Sequence, residues 1–224
     1  PSRPAFDVVL QAETGYLSMT GSDSGHLAKL PVAMIDILAA HQLKEGVLLA
    51  LLHRGKTGKG AYVEVSLEDA ALTGLINQAT NWLMAGHVAK PLGTLHPNIA
   101  PYGEVFTCAD GKRIVLAVGS NAQFHRLCEV LGLADRKGVT DLAENVERVK
   151  ERERLATLLS PPIAAVPQQE LLQRLQQAGV PAGAVNTIDT ALASPAAKRM
   201  TVEEMIEGVR TLRISGNAFR SEYY

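Results

Sequence analysis

From Pro31 to Arg54 the sequence sustains one apolar stripe at helical spacing. Ile35, Leu38, Ala39, Leu43, Val47, Ala50 and Leu51 follow the i, i+3, i+4, i+7 rule, with Lys44 on the other side. Gly55-Lys56-Thr57-Gly58-Lys59-Gly60 then breaks the helix, and Ala61 to Val65 alternates as a short strand. Ser66-Leu67-Glu68-Asp69 has the form of a capping box with Asp in place of Glu. It predicts a second long helix through Met84, closed by Gly86 in the left-handed conformation.

The flanks are less regular. Ala5 to Met19 reads as a short helix followed by a turn, and Ser22 to Leu30 as a polar loop. Pro91 to Gly103, with three prolines and two glycines, is an ordered loop. Gly103 to Thr107 and Lys112 to Val118 are strands joined at Ala109-Asp110-Gly111. Asn121 to Leu131 is an amphipathic helix with Phe124, Leu127, Cys128 and Leu131 inward. Asp141 to Leu159 and Gln168 to Ala178 are further helices, Pro181 to Val185 is strand-like, Val202 to Ile214 is a hairpin and Gly216 to Tyr224 a tail. The charges between Asp135 and Arg154 read as a solvated helix face.

Composition narrows the function. Lys plus Arg total 22 and Asp plus Glu 23 in 224 residues, a formal net charge of −1. No basic excess is present to bind a polyanion, so nucleic acid is not the expected partner. The longest apolar run, Val47 to Leu52, falls far short of the ~18–20 residues of a membrane span, so no membrane partner is expected. Two cysteines, Cys108 and Cys128, cannot build a disulfide framework or a four-cysteine zinc site. A single bond between them is open to the chain; two reduced thiols and a cytoplasmic location are the expectation. The opening Pro1-Ser2-Arg3-Pro4 shows no signal peptide and no initiator Met, which suggests a processed chain or a piece of something longer.

Few residues invite chemistry. Gly55 and Gly60 have phosphate-loop spacing, but Ala61 and Tyr62 stand where Lys and Ser/Thr belong, and a helix precedes instead of following. His26, His41, His53, His87, His96 and His125 show no ligand spacing, so no metal is expected. Asp36 is an acid in the otherwise apolar run Pro31 to Ala40. Such a carboxylate must be solvated, hydrogen-bonded or shifted in its titration. Two readings stand: a helix N-cap, or a nucleophile held at a helix start, where the helix dipole favours negative charge. The loop Gly93 to Tyr102 is rich in hydrogen-bonding side chains and stiffened by Pro97 and Pro101, equally suited to a structural crossover or to a site.

The run Phe6-Asp7 with Gln11-Ala12, Gly15, Ser18 and Thr20-Gly21 resembles the "YD-x-x-x-QA-x-x-G-x-x-S-x-TG" segment of class III CoA-transferases, the carnitine and formyl-CoA transferase type. Leu51-Leu52-His53-Arg54 with Thr57-Gly58 and Gly60 is similar to their "LLHRE-x-TG-x-G" turn, and Val63 to Ala70 to "VDVSLLDA". His96-Pro97-Asn98-Ile99-Ala100-Pro101-Tyr102 is similar to "HPNIVPY", Val118 to Phe124 to "VGND-x-QF", Ala178 to Gly183 to "AGVPCGP", and Gly216-Asn217 with Phe219-Arg220 to the closing "GNPIRF". The order and spacing cover essentially the whole chain.

The resemblance implies an α/β fold of helices plus a small antiparallel-sheet domain, with the family's N-terminal Rossmann part absent. It divides the chain into a helical linker region carrying the catalytic Asp at 1–100, a small α/β domain at 101–195, and a hairpin and tail at 196–224. It places the family nucleophile on Asp36 and the substrate side on Phe6, Gln11, His96, Pro97 and Asn98. It implies a ping-pong exchange through an acyl-aspartyl anhydride and an aspartyl-CoA thioester, with acyl-CoA and a carboxylic acid as partners and no cofactor beyond the CoA thioester substrate. Family dimers are interlocked, so a homodimer, or pairing with an N-terminal half, is expected. The chain alone, a fragment or one half of a split enzyme, is then not expected to be competent.

Two departures matter. Phe6 stands where many members carry Tyr, so a phenol hydroxyl is missing. Leu95 to Asn98 replaces the glycine run of formyl-CoA members, so oxalate and formate are not the expected substrates. An acyl-CoA racemase of the same superfamily, using Asp36 in α-proton exchange, is the nearest alternative. Racemases continue with several glycines after the acid, whereas this chain reads Ile37-Leu38-Ala39-Ala40-His41. A non-catalytic dimerisation or partner-binding domain is a third reading.

Overall fold

The computed structural model describes residues 4–22, 25–134 and 138–222. Pro1 to Arg3, Asp23-Ser24 in the polar loop, the first three residues of the charged stretch and the last two of the tail lie outside the described residues. Contacts gather the chain into two compact units, Pro1–Asn98 and Ile99–Tyr224.

In the first unit, the expected single N-terminal helix is two: α1 (Asp7–Glu13) and α2 (Tyr16–Met19). Gly15, at φ 93°, separates them, a left-handed conformation that favours glycine. The long helix α3 (Met34–Thr57) starts after Ala33 and runs through Gly55, stopping only at Gly58 with φ 72°. Gly55 weakens a helix without ending it; the left-handed Gly58 ends it, its N–H bonding the Arg54 carbonyl at 2.8 Å. Residues 61–65 form no strand, because no neighbouring strand offers them a ladder among the described residues. They cross α3 at Gly46 instead, where an added Cβ would lie 2.6 Å from Val63 Cγ1.

Ser66 caps α4 (Leu67–Thr73) as expected, its Oγ accepting the Asp69 N–H at 3.1 Å. The predicted long helix is broken, and α5 (Ile76–Ala85) follows before Gly86 at φ 63°. The break has a cause: the buried Tyr16 hydroxyl donates to the Ala71 carbonyl at 2.9 Å, and the Leu75 N–H turns to Leu72 O at 3.2 Å. Leu10, Tyr16, Ile35 and Ala71 form the small core of this unit.

The second unit holds β1 (Tyr102–Thr107) and β2 (Arg113–Ala117), antiparallel with Phe106 opposite Ile114. After them come α6 (Asn121–Val130), a 3₁₀ turn (Thr140–Leu142), α7 (Asn145–Lys150), α8 (Arg152–Ala164) and α9 (Gln168–Gln177). β3 (Ala182–Ala184) completes a sheet of order β1-β2-β3, all antiparallel. Leu127 and Cys128 of α6, Leu155, Leu159 and Ile163 of α8, and Leu171 and Leu175 of α9 enclose Ile114, Leu116 and Val118 in the main core. Leu155, Leu159 and Ile163, Leu171 and Leu175, and Phe124 with Cys128 recur at i, i+4, the spacing that makes one face of each helix apolar. Cys108 and Cys128 are both buried there and unbonded. Two short helices without a sequence expectation, α10 (Ile188–Leu192) and α11 (Pro195–Met200), precede the hairpin β4 (Thr201–Ile206) and β5 (Val209–Ile214). The expected mixture of helices with a small antiparallel sheet is thus the observed fold.

Two further expectations change. The helix expected over Asp141 to Leu159 is three pieces, and α8 carries on past Pro161 and Pro162 to Ala164. The charged stretch is not uniformly solvated: Arg148 is fully buried, and the Arg152 side chain is 19% exposed. The breaks in the helix free the Leu142 and Ala143 carbonyls to accept from Arg148, which explains both changes together.

Candidate active site

Asp36 is the third residue of α3 and is exposed. It is not the N-cap: Ala33 holds that position and offers no side-chain acceptor. Among the described residues the Asp36 carboxylate makes no hydrogen bond or ion pair, so its oxygens stand open at the end of the helix where the dipole favours negative charge.

The helix start is held from behind. Asp7, on α1, accepts the Ile35 N–H on Oδ2 at 2.8 Å. Its Oδ1 accepts from Gln11 Nε2, and Gln11 Oε1 accepts the Leu30 N–H at 2.8 Å. Gln11 and Ile35 are both fully buried. Gln11, expected on the substrate side, therefore has both ends of its amide engaged inside the protein. Phe6 is 74% exposed at the N-cap of α1, and its carbonyl accepts from Val9 and Leu10.

The loop after α5 returns to the segment ahead of α3: the Gly93 N–H donates to Gly21 O at 2.8 Å, and Gly21 pairs with Leu27. Gly21 has φ 138°, and any Cβ there would strike the His26 carbonyl, so only glycine fits. His96 Nδ1 accepts the Asn98 N–H at 3.1 Å, which places the proton of a neutral imidazole on Nε2. His96 and Pro97 are half-buried and Asn98 is exposed. Asp36, Asp7 and Gln11 are brought together at one helix start; His96 makes no hydrogen bond to Asp36.

In the second unit, the next two residues of the same motif are clamped. Arg152 Nη2 donates to Ile99 O at 2.8 Å, Arg148 Nε donates to Ala100 O at 2.6 Å, and Asn145 Oδ1 accepts the Ala100 N–H at 3.1 Å. Arg148 also stacks over the Phe124 ring at 4.4 Å and reaches Asn121 Oδ1 at 2.8 Å. Burial pulls its guanidinium below the usual range, an effect that Glu144 opposes. Sequence reasoning missed Asp7 and these three side chains. Asp7 carried a signal, as an acid four residues before Gln11 in a shared motif; Arg148 carried none.

A cavity of about 600 Å³ opens between α2 and α5, with Met19, Leu72, Leu75, Trp82 and Leu83 among its walls. Asp36 does not line it, so the apolar cavity and the open carboxylate are separate features. Among the described residues no group of three or more His, Cys, Asp or Glu could hold a metal ion, and no helix is long and apolar enough to cross a membrane.

The model of CoA-transferase family III matches residues 1–223. The succinate–glutarate CoA-transferase of Agrobacterium fabrum is 33% identical over 214 residues, covering 92% of this chain and 53% of that protein. The human succinyl-CoA:glutarate CoA-transferase is 30% identical over 193 residues, covering 86% and 44%. A solved CaiB/BaiF family protein from Brucella suis matches with a TM-score of 0.77 at 32% identity, covering 98% of this chain and 57% of that one. The chain spans about half the length of the curated relatives it matches.

Proposed function

Because the chain belongs to CoA-transferase family III, we propose that it carries the nucleophile of an enzyme moving coenzyme A from an acyl-CoA to a carboxylic acid, and that Asp36 is that nucleophile. The exposed Asp36 carboxylate on the first turn of α3, unpaired among the described residues, is the observation that carries this reading.

The chemistry follows from a carboxylate attacking a thioester. An Asp36 oxygen adds to the acyl carbon, the C–S bond breaks, and CoA thiolate leaves behind a mixed anhydride. The thiolate then attacks the Asp36 carbonyl carbon and expels the donor acid, giving an aspartyl-CoA thioester. An acceptor carboxylate attacks that carbon and releases thiolate in turn. Thiolate attack on the acceptor's acyl carbon frees Asp36 and completes the new acyl-CoA. Each step exchanges one acyl bond for another, so no oxidant or external cofactor is required. Positioned donors are needed for each tetrahedral oxyanion. Phe6, His96, Pro97 and Asn98 are the proposed substrate-side residues. The His96 Nε2–H is one donor suited to a carboxylate or thioester oxygen. The names of the relatives support succinyl-CoA as donor and glutarate as acceptor.

The test is Asp36→Asn and Asp36→Ala in the full-length protein, assayed with succinyl-CoA and glutarate. Loss of an obligatory nucleophile should lower turnover at least about a thousandfold. Stability should fall by no more than about 1 kcal/mol, the worth of an exposed acid in a first helical turn. Near-normal turnover by the Asn variant would remove Asp36 from the chemistry.

A further inference from the structure

We infer that Asp7 and Gln11 are positioning residues for Asp36, acting through the backbone of the helix start and not on substrate. The inference rests on the reading of Asp36 as nucleophile. The first N–H groups of an α-helix have no partner inside it, and Ala33 cannot supply one to α3. Asp7, 28 positions earlier, supplies it: Oδ2 accepts the Ile35 N–H at 2.8 Å, one residue before Asp36. Gln11 holds Asp7 by its Nε2 and takes the Leu30 N–H, 19 positions on, at 2.8 Å. A four-membered relay therefore ties α1 to the segment entering α3 and to the first turn that presents Asp36. Gln11 and Ile35 are fully buried, which limits the access of water to these bonds. Asp36 itself, exposed and unpaired, has nothing else to fix its orientation among the described residues.

The relay has a fixed donor and acceptor order. The backbone N–H groups of Leu30 and Ile35 can only donate; the two side chains between them must together accept twice outward and share one bond inward. Gln11 with Asp7 satisfies this. Asparagine at position 7 does not: its amide group would face the Gln11 amide, and turning either one strands the Leu30 or the Ile35 N–H. Glutamate at position 11 beside Asp7 sets two carboxylates against each other. The double exchange, Asp7→Asn together with Gln11→Glu, satisfies the order again, with donor and acceptor swapped between the two side chains. The geometry thus makes a specific claim of reciprocal rescue.

The experiment uses the full-length protein as Asp7→Asn, Gln11→Glu and the double variant, with succinyl-CoA as the probe. Hydroxylamine attacks the activated Asp36 carbonyl carbon, expels CoA thiolate or the donor acid and leaves Asp36 as a hydroxamate, and mass spectrometry of the peptide gives the capture rate. Thermal melting selects a temperature at which every variant is folded. Asp7→Asn should slow capture about tenfold or more while leaving KM for succinyl-CoA within about twofold, as misalignment of a reacting group does. The double variant should return the rate to within about threefold of the parent. Folded Asp7→Asn protein that captures the acyl group at the parent rate overturns the positioning role, while labelling of the parent keeps the nucleophile. An active parent that never labels Asp36 overturns the nucleophile itself and its positioning together.

Discussion

The Cys128 thiol, 1% exposed on α6, is pushed up to about 11 by burial; nearby Arg148 opposes the rise and Glu129 adds to it. Burial raises Cys108 in the same direction, helped by Asp110. The folded protein therefore keeps a thiol proton that the unfolded chain loses near the ordinary value of 9.0. Stability from this source is complete below that value and declines as pH climbs toward about 11, because unfolding then releases a proton. Urea midpoints should accordingly be lower near pH 10 than near pH 8, and Cys128→Ala should show a smaller decline between the two. An unchanged decline in the variant would place the proton elsewhere. At the same scale, His96→Ala should alter turnover or acceptor preference among dicarboxylic acids more than it alters melting temperature. Unchanged kinetics on every acid tried would leave the loop a structural crossover. Asp36 is legible in the sequence as a candidate because a carboxylate among Met34, Ile35, Ile37 and Leu38 breaks the apolar pattern. Arg148 is not, because Arg148, Arg152 and Arg154 share one charged stretch, and spacing does not say which of them turns inward.

Elements were easiest to read where local chemistry sets them. The Ser66 cap, the left-handed Gly86, the β1–β2 pair and the β4–β5 hairpin all rest on residues near in sequence. The breaks were hidden because distant groups impose them. Tyr16, 55 positions before Ala71, takes the carbonyl where α4 ends, and Arg148 gathers carbonyls from Ala100, Leu142 and Ala143. Gly74 lies at the first break, where an added Cβ would meet Tyr16 Oη and lie 2.8 Å from Leu38 Cδ1. Gly74→Ala should therefore destabilise by about 1–3 kcal/mol, even though alanine is the better helix former, and melting curves will show which effect dominates. Arg148→Ala strands several buried acceptors at once and should cost about 3 kcal/mol or more, read by urea unfolding.

For the whole molecule, α3 is the informative element. Of its 24 residues only Ile35 is buried, while Leu48, Leu49 and Leu52 are 56%, 61% and 63% exposed. The single stripe read from Ile35 to Leu51 understated it, since these leucines add apolar surface on further sides. Gln42, Lys44 and Glu45 keep part of the helix polar, but an exposed apolar surface of this kind marks an interaction site. The 224-residue chain alone is therefore expected to elute as an oligomer in gel filtration, and a monodisperse monomer would contradict that. The reaction itself is tested most directly by trapping. Full-length protein is incubated with succinyl-CoA, quenched with borohydride, digested and weighed by mass spectrometry. The expected result is reduction of Asp36 to homoserine, dependent on succinyl-CoA and absent from the Asp36→Asn variant. Exchange of the substrate α-hydrogen with deuterated water, with the Asp36 peptide unmodified, would contradict covalent transfer and assign the carboxylate to proton exchange.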